Sequence, residues 1–110
     1  MSISQNVSDD GMKVKLSITG REDYKVSKEF RDAYRHVPGR DGIAYYVDLR
    51  EVEYMDSSAL GMLLLLREHA KCRGGNVIIE QPNEPIDKIL KVANFEYLFT
   101  IDYSSHMYAG

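Results

Sequence analysis

The sequence predicts an α/β fold in which a mixed sheet of four to five strands packs with three to four helices. Apolar and polar residues alternate strictly over residues 13–18, which indicates a half-buried strand. The polar segment 2–7 precedes it across the turn signal of residues 8–11, so the two strands are expected to form an N-terminal hairpin. Further along the chain, strand-like runs alternate with helical patterns, which favours parallel βα units.

The first helix and the central strand follow the hairpin. We expect Thr19-Gly20 to end the second strand, and apolar residues then recur at spacings of three and four from about Tyr24 to His36. Proline and glycine interrupt this pattern at residues 38–42. The apolar run 43–49 is typical of a central strand that is covered on both faces.

The second half of the chain repeats the alternation in shorter segments. A second helix is predicted to start within residues 54–61 and to run to about Cys72 or Arg73, with Gly74-Gly75 as its stop because glycine readily adopts the left-handed conformation. The remaining predicted elements are a buried strand at 76–80, a helix at 84–92 with Pro85 in its first turn, and a last strand at 97–101.

Length and composition indicate one ordinary globular domain, residues 1–110. The chain has 44% hydrophobic and 28% charged residues, and 110 residues suffice for one core but not for two. A formal charge of −3 and scattered basic residues argue against a nucleic-acid binder. The apolar run 60–66 is far shorter than the roughly 20 residues that cross a bilayer, and no leader pattern opens the chain. We therefore expect a cytoplasmic protein that binds neither nucleic acid nor membrane.

Side chains that support catalysis or metal binding are scattered. The single cysteine, Cys72, excludes an internal disulfide. His36, His69 and His106 lack metal-ligand spacing, and we expect them to be solvated. No paired carboxylates, glycine-rich phosphate loop or nucleophile elbow is evident. The sequence thus predicts no metal, no cofactor, no catalytic residue and no enzyme activity.

The corner at residues 54–61 is the most informative stretch. Asp56, Ser57 and Ser58 are good helix starters, because a short side-chain oxygen accepts a hydrogen bond from an unpaired N–H group of the first turn. At about 100° per residue, one stripe of the helix should face the sheet. Ser57 projects to the far side and Ser58 lies on the flank nearer the core, so Ser57 is predicted to be the more accessible hydroxyl. The predicted core stripe consists of Ala59, Met62, Leu63, Leu66 and Ala70.

Leu60 and Leu64 do not fit this core stripe, and Arg67 and Lys71 lie beside them. One interpretation is a binding surface with apolar anchors and a polar rim. The other is that a neighbouring helix or loop covers the two leucines. Asp56 also has two interpretations. It either orients the serine hydroxyl or helps to place the metal-bound nucleotide of a kinase, or it is only a helix cap.

Three motifs together resemble the STAS domain family, and most closely its anti-sigma-factor antagonists. They are Val47-Asp48-Leu49, the stretch from Met55 to Gly61, and Gly74-Gly75-Asn76 before a buried strand. The resemblance covers about residues 13–102 and implies the STAS fold. It also implies a reversible phosphorylation site on the residue directly after the aspartate, which is Ser57, with Ser58 as the second choice.

The resemblance further implies the partners. An anti-sigma factor that is also a serine kinase of the GHKL ATPase type phosphorylates the serine, and a PP2C-type phosphatase resets it. The unphosphorylated form binds the anti-sigma factor and releases the sigma factor, whereas the phosphorylated form does not. The protein itself is expected to be a monomer or a weak dimer.

The expected partner-binding residues surround the serine. Asp23 matches an acidic family position near the corner, although a cap on the first helix explains it equally well. The full set of expected partner-binding residues is Asp23, Asp56, Ser58, Leu60, Leu64, Arg67 and Lys71.

Two alternatives from other functional classes stay open. Besides the antagonist, the first alternative is a structural STAS subunit of a lipid-transport or stressosome-like assembly, without phosphorylation, and the second is a serine-dependent enzyme. The enzyme requires a base beside Ser57, which the sequence does not supply.

Overall fold

The computed structural model describes residues 2–22, 24–35, 37 and 41–104, although not the side chains of residues 2, 21–22 and 24–27. The described part contains five strands, three α-helices and a single 3₁₀ turn. In chain order they are β1 Ser2–Val7, β2 Lys13–Glu22, α1 Tyr24–Arg35, β3 Ala44–Met55, α2 Ser57–Cys72, β4 Asn76–Glu80, α3 Glu84–Val92, the 3₁₀ turn Phe95–Tyr97 and β5 Thr100–Asp102.

All five strands belong to one mixed sheet. Their spatial order is β1-β2-β3-β4-β5, in which β1 is antiparallel to β2 and every later pair is parallel. The predicted N-terminal hairpin and parallel βα units are therefore confirmed. The predicted bounds of β1, β4 and α3 match the observed ones, and α2 ends at Cys72 as expected.

The hydrophobic core lies between one face of the sheet and the helices. Alternate residues of the strands point to this face because side chains alternate along a strand. Tyr45 of β3 points to the core face, since its ring packs edge-on against Tyr34 of α1. The predicted stripe of α2 is buried at all five positions, as expected. The core includes Val14, Leu16, Ile18, Phe30, Val47, Leu49, Leu63, Leu66, Val77, Ile79, Ile86 and Leu90.

The opposite face of the sheet is also covered at its centre. Residues 45–49 of β3 are all buried, so this strand is covered on both faces as predicted. On the face away from the core, Tyr46 and Ile78 lie in register on β3 and β4, and both are buried.

The second strand is longer than predicted, and the expected stop at Thr19-Gly20 is wrong. β2 continues to Glu22 and pairs with β3 over that whole length, with register shifts after Ser17 and after Gly20. Gly20 has a φ of 90°, a conformation that glycine adopts without strain. Glycine thus makes an irregularity inside the strand here rather than ending it.

The last predicted strand, 97–101, is wrong in its first part. A 3₁₀ turn occupies Phe95–Tyr97, and β5 begins only at Thr100. Phe95 and Phe99 are buried, and their ring centroids lie 5.2 Å apart. The N–H of Phe99 donates to the Phe95 carbonyl at 2.9 Å, so the two rings follow a helical spacing of four residues. Tyr97 between them is 79% exposed.

Candidate functional site

The corner before α2 is held by the carboxyl half of β3. Pairing between β3 and β4 ends at Asp48, whereas β2 pairs with β3 as far as Met55. On the open edge, the Asn83 side-chain amide donates to the carbonyls of Arg50, at 3.3 Å, and Val52, at 2.7 Å. The same amide caps α3 by accepting a hydrogen bond from the N–H of Ile86 at 3.1 Å. Asn83 therefore joins the start of α3 to the strand that leads into the corner.

Asp56 is the N-cap of α2. Its Oδ1 accepts a hydrogen bond from the backbone N–H of Ala59 at 2.9 Å, and its backbone is extended. Ala59 is completely buried, so the cap fixes the first turn of the helix against the core. The cap interpretation of Asp56 is confirmed. Its proposed role toward a kinase stays a prediction.

Ser57 and Ser58 are both exposed on the first turn of α2. Exposure therefore does not separate the two hydroxyls, and the expectation that Ser58 lies nearer the core than Ser57 stays a prediction. The sheet does not extend beside this turn on the β4 side, since β4 leaves β3 at Asp48. Neither hydroxyl forms a hydrogen bond with a residue that the structure describes. The two hydroxyls are therefore open to solvent and to a partner.

The chain that leads into the corner is acidic. Glu51 and Glu53 are exposed on β3, and neither forms an ion pair within the described part of the chain. Arg50 lies beside them, but its guanidinium binds the carboxylate of Asp48 at 2.9 Å. A phosphate on Ser57 would add to this negative charge.

An apolar groove runs beside the serine corner, between α2 and α3. Its volume is about 310 Å³, and it is lined by Leu60, Lys88, Ile89, Val92 and Ala93. Leu60 is half-buried and packs against the hydrophobic core, and Val92 is 85% exposed. One turn further along α2, Leu64 is 37% exposed. Leu60 is therefore partly buried beside the groove, while Leu64 is exposed, and the choice between the two interpretations of these leucines stays open.

Arg67 and Lys71 follow Leu64 on α2, and their side chains differ in their contacts. Arg67 Nε donates to the carbonyl of Leu98 at 2.9 Å, which ties α2 to the segment after α3. Its Nη1 lies 3.7 Å from a carboxylate oxygen of Glu68. Lys71 is exposed, and no described residue pairs with it. Asp23, the remaining expected partner-binding residue, lies outside the described residues, as do His36 and His106.

His69 is not solvated as expected, but half-buried beside two tyrosines. Its ring centroid lies 4.9 Å from that of Tyr34 and 5.9 Å from that of Tyr45. Burial lowers the pKa of the His69 imidazole, and the positive charges of Arg73 and Arg35 lower it further. The signal was available in the sequence, since residue 69 lies directly beside the core stripe of α2.

Three buried carboxylates lie side by side on the neighbouring strands β3, β4 and β5, so the expectation of no paired carboxylates is wrong. Asp48, Glu80 and Asp102 are neighbours in register on β3, β4 and β5, and all three are buried. Lys15 Nζ lies 3.5 Å from Glu80 and 3.9 Å from Asp48. Burial raises the pKa of the Glu80 carboxyl, against the attraction of Lys15. Each acid directly follows a strand-forming apolar residue, which is the signal that sequence reasoning missed.

Neither a metal cluster nor a membrane helix is found in the described ranges. Within residues 2–22, 24–35, 37 and 41–104, no group of three or more His, Cys, Asp or Glu side chains is arranged to hold a metal ion. Over the same residues, no helix has both the length and the apolar character needed to cross a bilayer.

Comparison with known families identifies the domain type. The family model described as "Mlab, STAS domain" matches residues 6–100. The chain belongs to the STAS domain family. A STAS-domain containing protein of Pseudomonas aeruginosa (strain UCBPP-PA14) is 44% identical to it over 104 residues, which are 92% of this chain and 99% of that protein.

Solved structures share the fold of this STAS domain. A putative anti-sigma factor antagonist from Thermotoga maritima superposes with a TM-score of 0.77 at 18% identity, covering 97% of this chain and 90% of that one. The anti-sigma factor antagonist SpoIIAA in its unphosphorylated form gives 0.73 at 14% identity, with coverages of 98% and 94%. An anti-sigma factor antagonist from Mycobacterium paratuberculosis gives 0.66 at 20% identity, with coverages of 94% and 88%. The predicted STAS fold is therefore confirmed.

Proposed function

We propose that this STAS domain is a cytoplasmic anti-sigma-factor antagonist whose partner binding is switched off by phosphorylation of Ser57. The observation that carries the proposal is an exposed, unbonded serine hydroxyl directly after a capping aspartate, beside an open apolar groove. The solved structures of the same fold that are named as anti-sigma factor antagonists support the same role. The domain acts as a binding partner and not as an enzyme.

The start of α2 can carry a phosphate without unfolding. The first N–H groups of a helix have no intrahelical partner, and the helix dipole favours negative charge at this end. Asp56 uses the N–H of Ala59, which leaves the backbone N–H groups of Ser57 and Ser58 for a phosphate. A phosphate adds about −1.5 to −2 charges at neutral pH. The choice of Ser57 over Ser58 rests on the family position directly after the aspartate, since both hydroxyls are exposed.

The partner surface extends from the serine along the outer side of α2. Leu60 and Leu64 supply apolar anchors beside the groove, and Arg67 and Lys71 form the polar rim. The proposed partner is an anti-sigma factor that is a serine kinase of the GHKL ATPase type, and a PP2C-type phosphatase removes the phosphate.

Electrostatics makes the proposed switch effective. A partner that covers the corner buries whatever group stands on Ser57, next to Asp56 and close in sequence to Glu53. Burying an unpaired charge costs several kcal/mol. At about 1.4 kcal/mol per factor of ten, this corresponds to a roughly thousandfold loss of affinity. Modification therefore breaks the complex while the STAS domain stays folded.

Intact-mass analysis of the protein purified from its own cells tests the site assignment. We expect one added phosphate that maps to Ser57, disappears in Ser57→Ala and persists in the matched variant Ser58→Ala. A phosphate found solely on Ser58 would contradict the choice of residue. A chain that is never phosphorylated, and that co-purifies with a transporter or scaffold, would instead support a structural STAS subunit of a lipid-transport or stressosome-like assembly.

A further inference from the structure

A second cavity lies at the opposite end of α2, between the last turns of α1 and α2. Its volume is about 320 Å³, which is at the lower end of the range for small-molecule sites. Three arginines line it, Arg31 and Arg35 from α1 and Arg73 from the end of α2. The proposed phosphorylation switch at Ser57 does not involve this cavity.

The three guanidinium groups lack acidic partners in the described part of the chain. None of Arg31, Arg35 and Arg73 forms an ion pair with a described carboxylate. Glu68 also lines the cavity, but its carboxylate lies 3.7 Å from Nη1 of Arg67. The positive charges of Arg73 and Arg35 are close enough to the cavity wall to disfavour a proton on His69.

Apart from Glu68 and Cys72, the remaining wall of the cavity is aromatic and apolar. Tyr34 and His69 stand in ring contact at 4.9 Å, and both line the cavity. Leu65 lines it as well and is 56% exposed. An exposed leucine beside a half-buried imidazole gives the site a face that a planar or apolar group can cover.

The usual preference for basic residues at helix C-termini does not by itself explain three arginines around one cavity. Cations near helix C-termini are favourable because the helix dipole is negative there, which explains one basic residue at each helix end. Three guanidinium groups around one cavity also repel each other, and a bound anion would relieve that repulsion. Guanidinium groups bind phosphate through two parallel N–H donors.

We propose that this cavity binds a small organic phosphate, with Arg31, Arg35 and Arg73 on the phosphate and His69 and Leu65 on its apolar part, while the buried ring of Tyr34 supports His69 from behind. The site is independent of the proposed switch at Ser57. Because the helix C-termini oppose an anion, its binding depends on the arginine side chains.

Titration of the full-length protein with phenyl phosphate, followed by NMR of the His69 ring and the backbone amides, tests the proposal. We expect saturable shifts confined to the ends of α1 and α2, weaker binding of inorganic phosphate, and a rise in the pKa of His69 on binding. Arg35→Gln and Arg73→Gln should each weaken binding about tenfold, since a charged hydrogen bond is lost. Lys28→Gln, on the same helix but outside the cavity, should leave binding unchanged.

Three results would overturn the inference. The first is the absence of saturable shifts at the cavity up to the solubility limit of phenyl phosphate. The second is an equal loss of binding in Lys28→Gln and Arg35→Gln, which would show only general attraction to positive charge. The third is equal affinity for inorganic and phenyl phosphate, which would remove the role of the aromatic wall. Both arginines are at the surface or half-buried, so folding of the variants is checked by their unchanged amide spectra elsewhere.

Discussion

The two ends of α2 differ in the groups with which they can bind an anion. At the N-terminal end, Asp56 caps the helix and two exposed serines follow, without an arginine or lysine in the first turn. At the C-terminal end, Arg73 follows the last turn, and Arg31 and Arg35 of α1 line the cavity there. A helix accepts an anion at its N-terminus through its own N–H groups and dipole, whereas an anion at its C-terminus must be held by side chains.

The two ends also differ in packing. The first turn is open to solvent, and Ser57 can change its charge without disturbing buried groups. The last turn ends at Cys72, Gly74 after it has a φ of 69°, and the N–H of Gly75 donates to the carbonyl of Ala70 at 2.9 Å. The start of α2 is thus exposed to solvent, whereas the backbone after its end is fixed by hydrogen bonds to the last turn.

The largest expected effect is at the N-terminal end. Phosphoserine at position 57 should lower the affinity for the anti-sigma partner roughly thousandfold, because the complex would bury an unpaired charge. The free energy of unfolding of the STAS domain should change by less than about 1 kcal/mol, since the helix end accommodates the phosphate. Calorimetric titration measures the first quantity and urea denaturation the second. Treatment with a PP2C-type phosphatase is the control, and it should restore binding.

The next largest expected effect is a loss of stability from a substitution just after the C-terminal end of α2. Gly75→Ala should lower the free energy of unfolding by about 3 kcal/mol, because the added Cβ would collide with the backbone carbonyl of Ile43. Gly61→Ala is the matched control within α2, since a Cβ there meets no atom within 4 Å. It should stabilise the protein by about 0.5 to 1 kcal/mol, because alanine favours helix over glycine. Equal urea midpoints for the two variants would refute the proposed close contact.

Replacing the cap separates the two interpretations of Asp56. Asp56→Ala should lower the free energy of unfolding by about 1 kcal/mol, since the N–H of Ala59 loses its acceptor. Asp56→Asn keeps an acceptor and removes the charge, so its stability should stay near that of the wild type. Phosphorylation of Asp56→Asn at the wild-type rate would show that Asp56 acts only as a cap.

The smallest effect is a pH dependence at the C-terminal end. The lowered pKa of His69 means that the unfolded chain binds this proton more readily than the folded one. This contribution to stability is therefore complete above the ordinary histidine pKa of 6.5 and is lost as the pH falls toward the folded value. Urea denaturation between about pH 5 and pH 8 should show a shallower decline for His69→Gln than for the wild type. Parallel curves would show that His69 does not titrate differently in the folded state.

Local patterns predicted α2 closely. Its bounds, its cap and its five buried positions follow from the helical period and from Asp56, both of which act over about four residues. The same holds for α3, where Asn83 and Pro85 mark the start. The predicted end of β2 at Thr19-Gly20 was wrong, because a glycine can either end a strand or form an irregularity within it. Pairing with β3 decides between the two outcomes.

The carboxylate cluster and the arginine-lined cavity were not predicted from the sequence. Each of them consists of residues that are far apart in the chain. Asp48, Glu80 and Asp102 meet only through the register of three strands. The cavity that we propose for an organic phosphate needs α1 and α2 to end side by side. No window of the sequence contains these contacts.

The sequence alone therefore determined the serine corner, the cap that precedes it, and the family to which they correspond. Only the tertiary structure decided which neighbours cover each side chain. It left Ser58 exposed, placed Leu60 and α3 on two sides of one groove, and brought three arginines to one cavity. The physical reason is that hydrogen bonds within a turn depend on adjacent residues, whereas burial and electrostatic environment depend on distant segments that pack together.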